Sequence, residues 1–276
     1  MNDIWTALFG LGDKLAAHFL LSAAAIMLGI AVALPLAIWA SRSPPIARIT
    51  LGFASLVQTI PALALLALFF PILLNLRAIF GEGLPTLGFL PAFLALSLYA
   101  LLPILRNAVT AQTNLDPGVI EAADGVGMTF WQRLRLVEAP LSSPYLMAGI
   151  RTAAVWTIGA ATLSTTIGQP SLGDPIFAGL QTQNWVLVLA GCIASAGLAI
   201  VADALLGALE KGLRTRRRVL SLGGLAAVLI GILAALFVSF GNRDDDRIVI
   251  GAKSFSEQYV LARLIGQRLE ANGYTV

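Results

Sequence analysis

Six long apolar runs constrain the fold of this sequence more than any other feature. They cover approximately residues 18–40, 50–74, 84–106, 144–167, 185–209 and 219–240. A helix needs about 20 mostly apolar residues to cross the hydrocarbon core of a bilayer, and each run is long enough. Helices satisfy their backbone polar groups internally, as lipid requires. The sequence therefore predicts an all-α membrane protein with about six transmembrane helices.

The composition agrees with this interpretation and excludes several function classes. Hydrophobic residues make up 58% of the chain and charged residues 12%, against about 45–50% and about 25% in soluble domains. The net charge of +3 does not indicate nucleic-acid binding, because the positive residues sit in short loops between apolar runs. Cys192 is the only cysteine, which excludes a disulfide framework and a cysteine metal cluster. His18, the only histidine, is expected where the chain enters the membrane and not as a ligand.

The distribution of Lys and Arg predicts the orientation, because cytoplasmic loops carry an excess of both. One set of loops holds ten: Arg42, Arg48, Arg106, Arg133, Arg135, Lys211, Arg214, Arg216, Arg217 and Arg218. The opposite set holds two, Lys14 and Arg77. The first set is therefore expected in the cytoplasm, with residues 121–140. The short segment 1–17, interpreted as an interfacial helix, and everything after residue 240 are expected outside.

Four prolines lie inside the predicted spans: Pro35, Pro61, Pro91 and Pro103. Neighbouring helices can re-satisfy the backbone groups that a proline frees. The prolines therefore predict kinked spans, and the kinks fit a transport pathway or packing alone.

The longest polar loop, residues 107–143, is predicted to contain a short helix. Asp116 suits a helix cap and Pro117 the first helical turn, so residues 119–123 would follow as a helix. Gly125 and Gly127 interrupt it, and residues 131–137 would return towards the membrane. By itself this pattern fits an ordinary amphipathic surface helix equally well.

Residues 121–140 read EAADGVGMTFWQRLRLVEAP, which resembles the cytoplasmic coupling loop of ABC-importer permeases. Glu121, Ala122, Ala123, Gly127 and Pro140 fall on the family pattern, whereas positions 137 and 139 depart conservatively. The resemblance implies the type I importer permease fold. It also implies that the loop docks in a groove of a separate ATPase, with Glu121 and Ala122 at the contact and Gly127 forming the turn.

Further implications follow from the same resemblance. Two copies of the chain would form a homodimer above two ATP-binding subunits, which bind the ATP and Mg, so the chain needs no cofactor and is not an enzyme. The sequence also contains no G-x-x-x-x-G-K-[ST] phosphate loop.

Three other stretches look like the permeases for glycine betaine, carnitine and choline. They are residues 58–68, 100–107 and 149–159. Residues 168–173 depart from the glycine-rich stretch that is common there. The resemblance covers nearly all of residues 20–210 and implies a multi-pass permease of the bacterial plasma (inner) membrane, for quaternary-amine osmoprotectants.

The C-terminal tail has its own pattern. A polar linker, residues 241–247, is followed by a predicted strand at 248–251 and a helix that starts at Ser256 and ends at Gly273. A second strand is predicted to begin at residue 274. This opening resembles the start of a quaternary-amine-binding domain, so residues 248–276 are expected to be the truncated start of a fused external domain. About thirty residues cannot bury a core alone, and a disordered tail is the alternative.

Few polar side chains lie within the predicted spans. Arg151 and Asp203 lie at similar depth, on the order of 10–12 Å from the cytoplasmic end at about 1.5 Å per residue. A salt bridge between them is one expectation, and snorkelling or pairing with the cytoplasmic loop is the other. Gln58 and Thr59 would line the pathway or make polar contacts between helices.

Two other function classes remain as alternatives. An ion-gradient-driven secondary transporter of small polar solutes predicts acidic or histidine relays at the midplane, and Asp203, off centre, is the only acid well inside a span. A membrane-embedded enzyme needs clustered His, Asp or Glu, or an activated nucleophile, and the sequence offers little support for it.

Overall fold

The computed structural model describes residues 2–81, 83–215, 218–241, 248, 250 and 256–274. Within these residues all regular structure is helical, as the apolar runs predict for the membrane domain. The helices are α1 Asn2–Phe9, α2 Gly12–Ala40, α3 Pro44–Thr59, α4 Ala62–Phe80, α5 Phe89–Thr113, α6 Pro117–Gly125, α7 Phe130–Arg133, α8 Ala139–Ala161, α9 Gly173–Thr182, α10 Trp185–Arg214, α11 Arg218–Gly241 and α12 Ser256–Glu270. A π-helical turn, Leu134–Glu138, joins α7 to α8, and a 3₁₀ segment, Thr162–Ile167, extends α8.

Five helical segments in the described part of the chain are long and apolar enough to cross a membrane. They are α2, α4, α5, the continuous stretch Phe130–Ile167 and α10. The sixth predicted span coincides with α11, whose apolar stretch Leu222–Val238 is shorter. Helix α2 begins at Gly12, so the first span starts earlier than the predicted residue 18, and only α1 and its turn precede it.

The second apolar run contains a break that the sequence analysis did not predict. The prediction of one proline-kinked helix over residues 50–74 is wrong, because α3 ends at Thr59 and α4 begins at Ala62. Proline disfavours a helical conformation in the residue before it, and Ile60 is extended, with φ −74° and ψ 124°. Pro35 and Pro103, in contrast, lie inside the continuous helices α2 and α5.

The core lies where α2, α5 and α8 pack together. Small buried side chains line these contacts, among them Ala33, Ala100 and Ala153. Gly149 marks the closest approach: a Cβ added there would lie 2.7 Å from the Asn107 Cβ and 2.8 Å from the Pro103 carbonyl oxygen. Small residues let membrane helices approach closely without a hydrophobic driving force, so these three helices form the central layer.

His18 joins this layer to the segment before α9. Its ring is fully buried; Nε2 donates to the Ile158 carbonyl oxygen at 3.0 Å, and Nδ1 accepts from the Leu172 N–H at 3.2 Å. The residue lies within α2 and is buried inside the protein, and the expectation that the chain enters the membrane there stays a prediction. Both nitrogens are therefore occupied in holding α2, α8 and the segment before α9 together.

Helix α12 occupies the position predicted for the tail helix. It begins at Ser256, and Gly273 follows its last turn with φ +86°, while the Tyr274 N–H bonds to the Leu269 carbonyl oxygen at 3.1 Å. The described residues of the two predicted strands, Ile248, Ile250 and Tyr274, are not in strands. A strand needs a neighbour for its backbone hydrogen bonds. The linker beyond residue 241 and the remainder of both strands lie outside the described residues.

Candidate coupling site and ion-pair network

Helix α6 presents the predicted coupling residues on an exposed surface. Asp116 caps the helix, its Oδ1 accepting from the Gly118 N–H at 2.8 Å, and Pro117 opens the first turn. Glu121 and Ala122 are exposed, whereas Ala123 is buried and is the one α6 residue that reaches the interior. The helix thus offers a carboxylate and small side chains to any partner below it.

Gly127 forms the turn that ends this helix. Its φ is +74°, a conformation that glycine adopts without steric cost. The Gly127 N–H bonds to the Asp124 carbonyl oxygen at 2.9 Å, and the Met128 N–H to that of Ala123 at 3.2 Å. A Cβ added at Gly127 would meet nothing within 4 Å. The turn therefore favours glycine for its backbone conformation and not for space.

The chain returns to the membrane domain through a capped helix and a π turn. Thr129 and Gln132 form a reciprocal capping box at the start of α7. In the π turn the Ala139 N–H bonds to the Leu134 carbonyl oxygen, five residues back. Pro140 follows at once; in a regular α-helix its ring would collide with the carbonyl four residues earlier. The wider π turn accommodates this proline of the family pattern.

A chain of charged side chains, missed in the sequence analysis, connects α6 to the junction of α2 and α3. Arg133 Nη1 donates to both oxygens of Asp124 at 2.6 and 2.7 Å, and its Nε donates to Glu138 at 2.9 Å. Arg42 Nη2 donates to both oxygens of the same Glu138 at 3.2 and 3.3 Å. The Arg42 guanidinium also lies 4.1 Å from the centre of the Phe130 ring.

Glu138 is the centre of this network, and only 3% of the residue is exposed. A buried carboxylate requires compensation by cations or hydrogen bonds, and Glu138 has two arginines. In the sequence, Glu138 is an acidic residue that lies shortly before the apolar run 144–167 and shortly after Arg133 and Arg135. Nothing in the linear spacing indicates that residues 42 and 138 meet.

The structure brings Arg151 and Asp203 together, one of the two expectations left open for them. Arg151 Nε donates to Asp203 Oδ1 at 2.9 Å and Nη2 to Oδ2 at 2.8 Å. Its Nη1 also donates to Glu210 Oε2 at 2.8 Å, a partner that the sequence analysis missed. Seven residues separate the two acids, so both face the same side of α10. The three side chains tie α8 to α10.

Gln58 and Thr59 lie at the end of α3, next to the helix break, and apart from the charged network. Thr59 is exposed and its hydroxyl donates to the Leu56 carbonyl oxygen at 2.7 Å. The Gln58 Nε2 is buried and has no hydrogen-bond partner among the described residues. This location is compatible with a pathway lining and with polar contacts between helices.

An apolar cavity of about 670 Å³ lies between α2, α8, α10 and α11. Its walls include Phe19, Ile26, Ile158, Val201 and Val228. Ser22, whose hydroxyl has no hydrogen-bond partner in the described structure, is the one polar side chain among the described residues that line it. A charged solute would lose its hydration against this lining without compensation.

The sequence is similar to permeases of known importers. Residues 18–215 match the family described as binding-protein-dependent transport system inner membrane component. The glycine betaine/carnitine/choline permease OpuCB of Bacillus subtilis is 39% identical over 215 residues, covering 76% of this chain and 94% of the relative. The carnitine permease OpuCB of Listeria monocytogenes is 44% identical, covering 70% and 83%. The osmoprotectant import permease OsmW of Salmonella typhimurium is 42% identical, covering 71% and 91%.

Solved structures share the fold at low sequence identity. The inward-facing MetNI methionine ABC transporter superposes with a TM-score of 0.63 at 19% identity, over 72% of this chain and 94% of that one. An amino acid ABC transporter gives a TM-score of 0.56 at 20% identity, over 77% and 95%. The predicted type I importer permease fold is therefore confirmed.

In such transporters ATP hydrolysis belongs to a separate ATP-binding subunit, and the relatives that match this chain are the permease components. The chain therefore belongs to the family of inner membrane components of binding-protein-dependent transport systems, as a membrane-embedded ABC permease and not an enzyme.

Proposed function

We propose that this chain is the permease of an ATP-driven importer for osmoprotectants of the glycine betaine, carnitine and choline class. The observation that carries the proposal is the 36–44% identity, over about 70% or more of the chain, to permeases named for these solutes or for osmoprotectants. The exposed Glu121 and Ala122 on α6 support a docking role for the coupling loop.

The active assembly in this proposal is a homodimer in the bacterial plasma membrane. Each chain supplies one coupling loop, so two copies engage two ATP-binding subunits, and these bind the ATP and Mg. The asymmetry of Lys and Arg supports a cytoplasmic α6, with the N-terminus and the tail outside. The amphipathic α12 supports the further proposal that residues 248–276 begin a fused substrate-binding domain.

Uptake into proteoliposomes tests the function directly. The chain, its partner ATPase and the substrate-binding component are reconstituted together, and uptake of radiolabelled glycine betaine, carnitine and choline is followed. We expect uptake that requires ATP and continues when ionophores collapse all ion gradients. Uptake without ATP that stops with the ion gradient would establish the secondary-transporter alternative instead.

The turn at Gly127 provides a variant that separates coupling from folding. Gly127→Val should abolish substrate-stimulated ATP hydrolysis, because a β-branched residue is strained at φ +74° and the turn would tilt α6. Gly127→Asn is the matched control, since asparagine tolerates this conformation. Both variants should insert into the membrane and assemble as dimers. Normal stimulation in Gly127→Val would argue against α6 as the coupling element.

A further inference from the structure

Helix α6 has one buried side chain and one ion pair among the described residues. Ala123 is its one buried residue, so packing anchors it weakly. Arg133 instead holds Asp124, the residue next to Ala123, through both carboxylate oxygens at 2.6 and 2.7 Å. One nitrogen makes both contacts, and 52% of the Asp124 side chain is exposed, so the pair is short and direct but open to solvent. An ATPase that displaces α6 would move Asp124 and so act on the Arg133 guanidinium.

Glu138 passes the displacement on. The same guanidinium donates to Glu138 at 2.9 Å, and Glu138 is held from its other side by Arg42 at 3.2 and 3.3 Å. Only 3% of Glu138 is exposed, whereas 34% of the Arg42 side chain is. Loss of either arginine would leave a buried carboxylate with one cation fewer.

Arg42 stands between two membrane helices. It belongs to the short connection between α2, which ends at Ala40, and α3, which begins at Pro44. Its contact with the Phe130 ring at 4.1 Å adds a second link to the coupling loop. Helix α3 has 16 residues, about 24 Å at ~1.5 Å per residue, and ends at the break beside Gln58.

Resting on the proposed function, we infer that Arg42 is a positioning residue that connects the ATPase-driven coupling helix to α3. The connection runs from Asp124 through Arg133 and Glu138 to Arg42, a path that we name the ionic relay. It gives α3 and the break at Ile60–Pro61 a mechanical input that is separate from the covalent path through α8.

Arg42→Gln tests the relay, because it removes the last link and leaves the Asp124–Arg133 and Arg133–Glu138 pairs intact. The measurement is the number of substrate molecules taken up per ATP hydrolysed by the reconstituted transporter. We expect the variant to assemble with its ATPase, to hydrolyse ATP, and to lose about five-fold or more of this ratio, the lower end of usual coupling between sites. Arg42→Lys should recover part of it, because lysine contacts Glu138 only as a point charge.

Arg48→Gln is the matched control. Arg48 is exposed on α3, carries no ion pair in the described part of the chain, and loses the same charge, so its ratio should stay at the wild-type value. An unchanged ratio in Arg42→Gln, or uptake and hydrolysis that fall in the same proportion, would overturn the relay. Absence of ATP-dependent uptake by the wild-type transporter would refute the proposed function itself, and the two failures are therefore distinguishable.

Discussion

For single residues such as Arg151, the sequence predicts the depth in a span. Its depth and that of Asp203 follow from their distances to the ends of the apolar runs, and a pair between them was one of the open expectations. The spacing of seven residues places Glu210 on the same face of α10 as Asp203, and this signal could have identified it. The contact between Glu138 and Arg42 joins distant segments, so no spacing in the sequence predicts it.

The pairing bears on the secondary-transporter alternative. A proton relay needs a carboxylate that is free to exchange a proton, whereas both oxygens of Asp203 accept from Arg151. Asp203 is thus engaged in a structural contact between α8 and α10. This arrangement disfavours an ion-gradient mechanism that uses Asp203.

We predict unequal effects on stability when the members of this cluster are neutralised. Arg151→Gln should lower the free energy of unfolding by about 1.5–3 kcal/mol, the usual value of hydrogen bonds to charged groups, because it leaves two carboxylates without their cation. Asp203→Asn should cost less, because Arg151 keeps Glu210. Thermal unfolding in lipid nanodiscs measures both.

The double variant completes the cycle. Contacting residues show interaction energies of about 0.5–3 kcal/mol, so the combined change should be smaller than the sum of the single changes. Strictly additive effects would mean that the Arg151–Asp203 contact does not contribute to stability.

At the scale of helices, the break at Pro61 was the main error of the sequence analysis. The sequence alone does not distinguish a kink from a break, because a proline is compatible with both. Helices α2 and α5 pack against each other and stay continuous through Pro35 and Pro103. Helix α4 also stays continuous through Pro71 although few of its residues are buried, so packing by itself does not explain why α3 ends before Pro61.

The contact between α5 and α8 gives a prediction with an internal control. Gly149→Ala should destabilise the protein by about 1–3 kcal/mol, as overpacking of a tight contact does, because the new Cβ would meet Asn107 and Pro103 at 2.7–2.8 Å. Gly159→Ala, on the same helix, meets nothing within 4 Å. It should be neutral or stabilising by up to about 1 kcal/mol. The two thermal unfolding curves are compared, and equal shifts would disprove the close contact.

For the whole molecule, the apolar runs predicted the all-helical fold, and the coupling-loop pattern predicted the family. Short elements could not be predicted in this way. The 3₁₀ segment Thr162–Ile167 and helix α9 are joined by a partly buried polar cluster in which Thr165 contacts Ser171 and Asp174 at 2.7 and 2.6 Å. Such contacts between short polar segments leave no periodic pattern in the sequence.

The orientation remains a prediction, and cysteine labelling of intact cells checks it. Cys192 is exposed and is first replaced by serine, after which single cysteines are placed at positions 3, 125 and 245, the last outside the described residues. A membrane-impermeant reagent should reach positions 3 and 245 only, and all three after permeabilisation. Labelling at 125 alone in intact cells would show the opposite orientation.

The continuous helix Phe130–Ile167 has 38 residues, which corresponds to a length of about 57 Å at ~1.5 Å per residue. A bilayer with its head groups is about 40–45 Å thick. On the proposed topology, roughly 12–17 Å of this helix projects into the cytoplasm. On the proposed coupling role, α6 would stand on a short stalk, where the ATPase would meet it in water, clear of the lipid head groups.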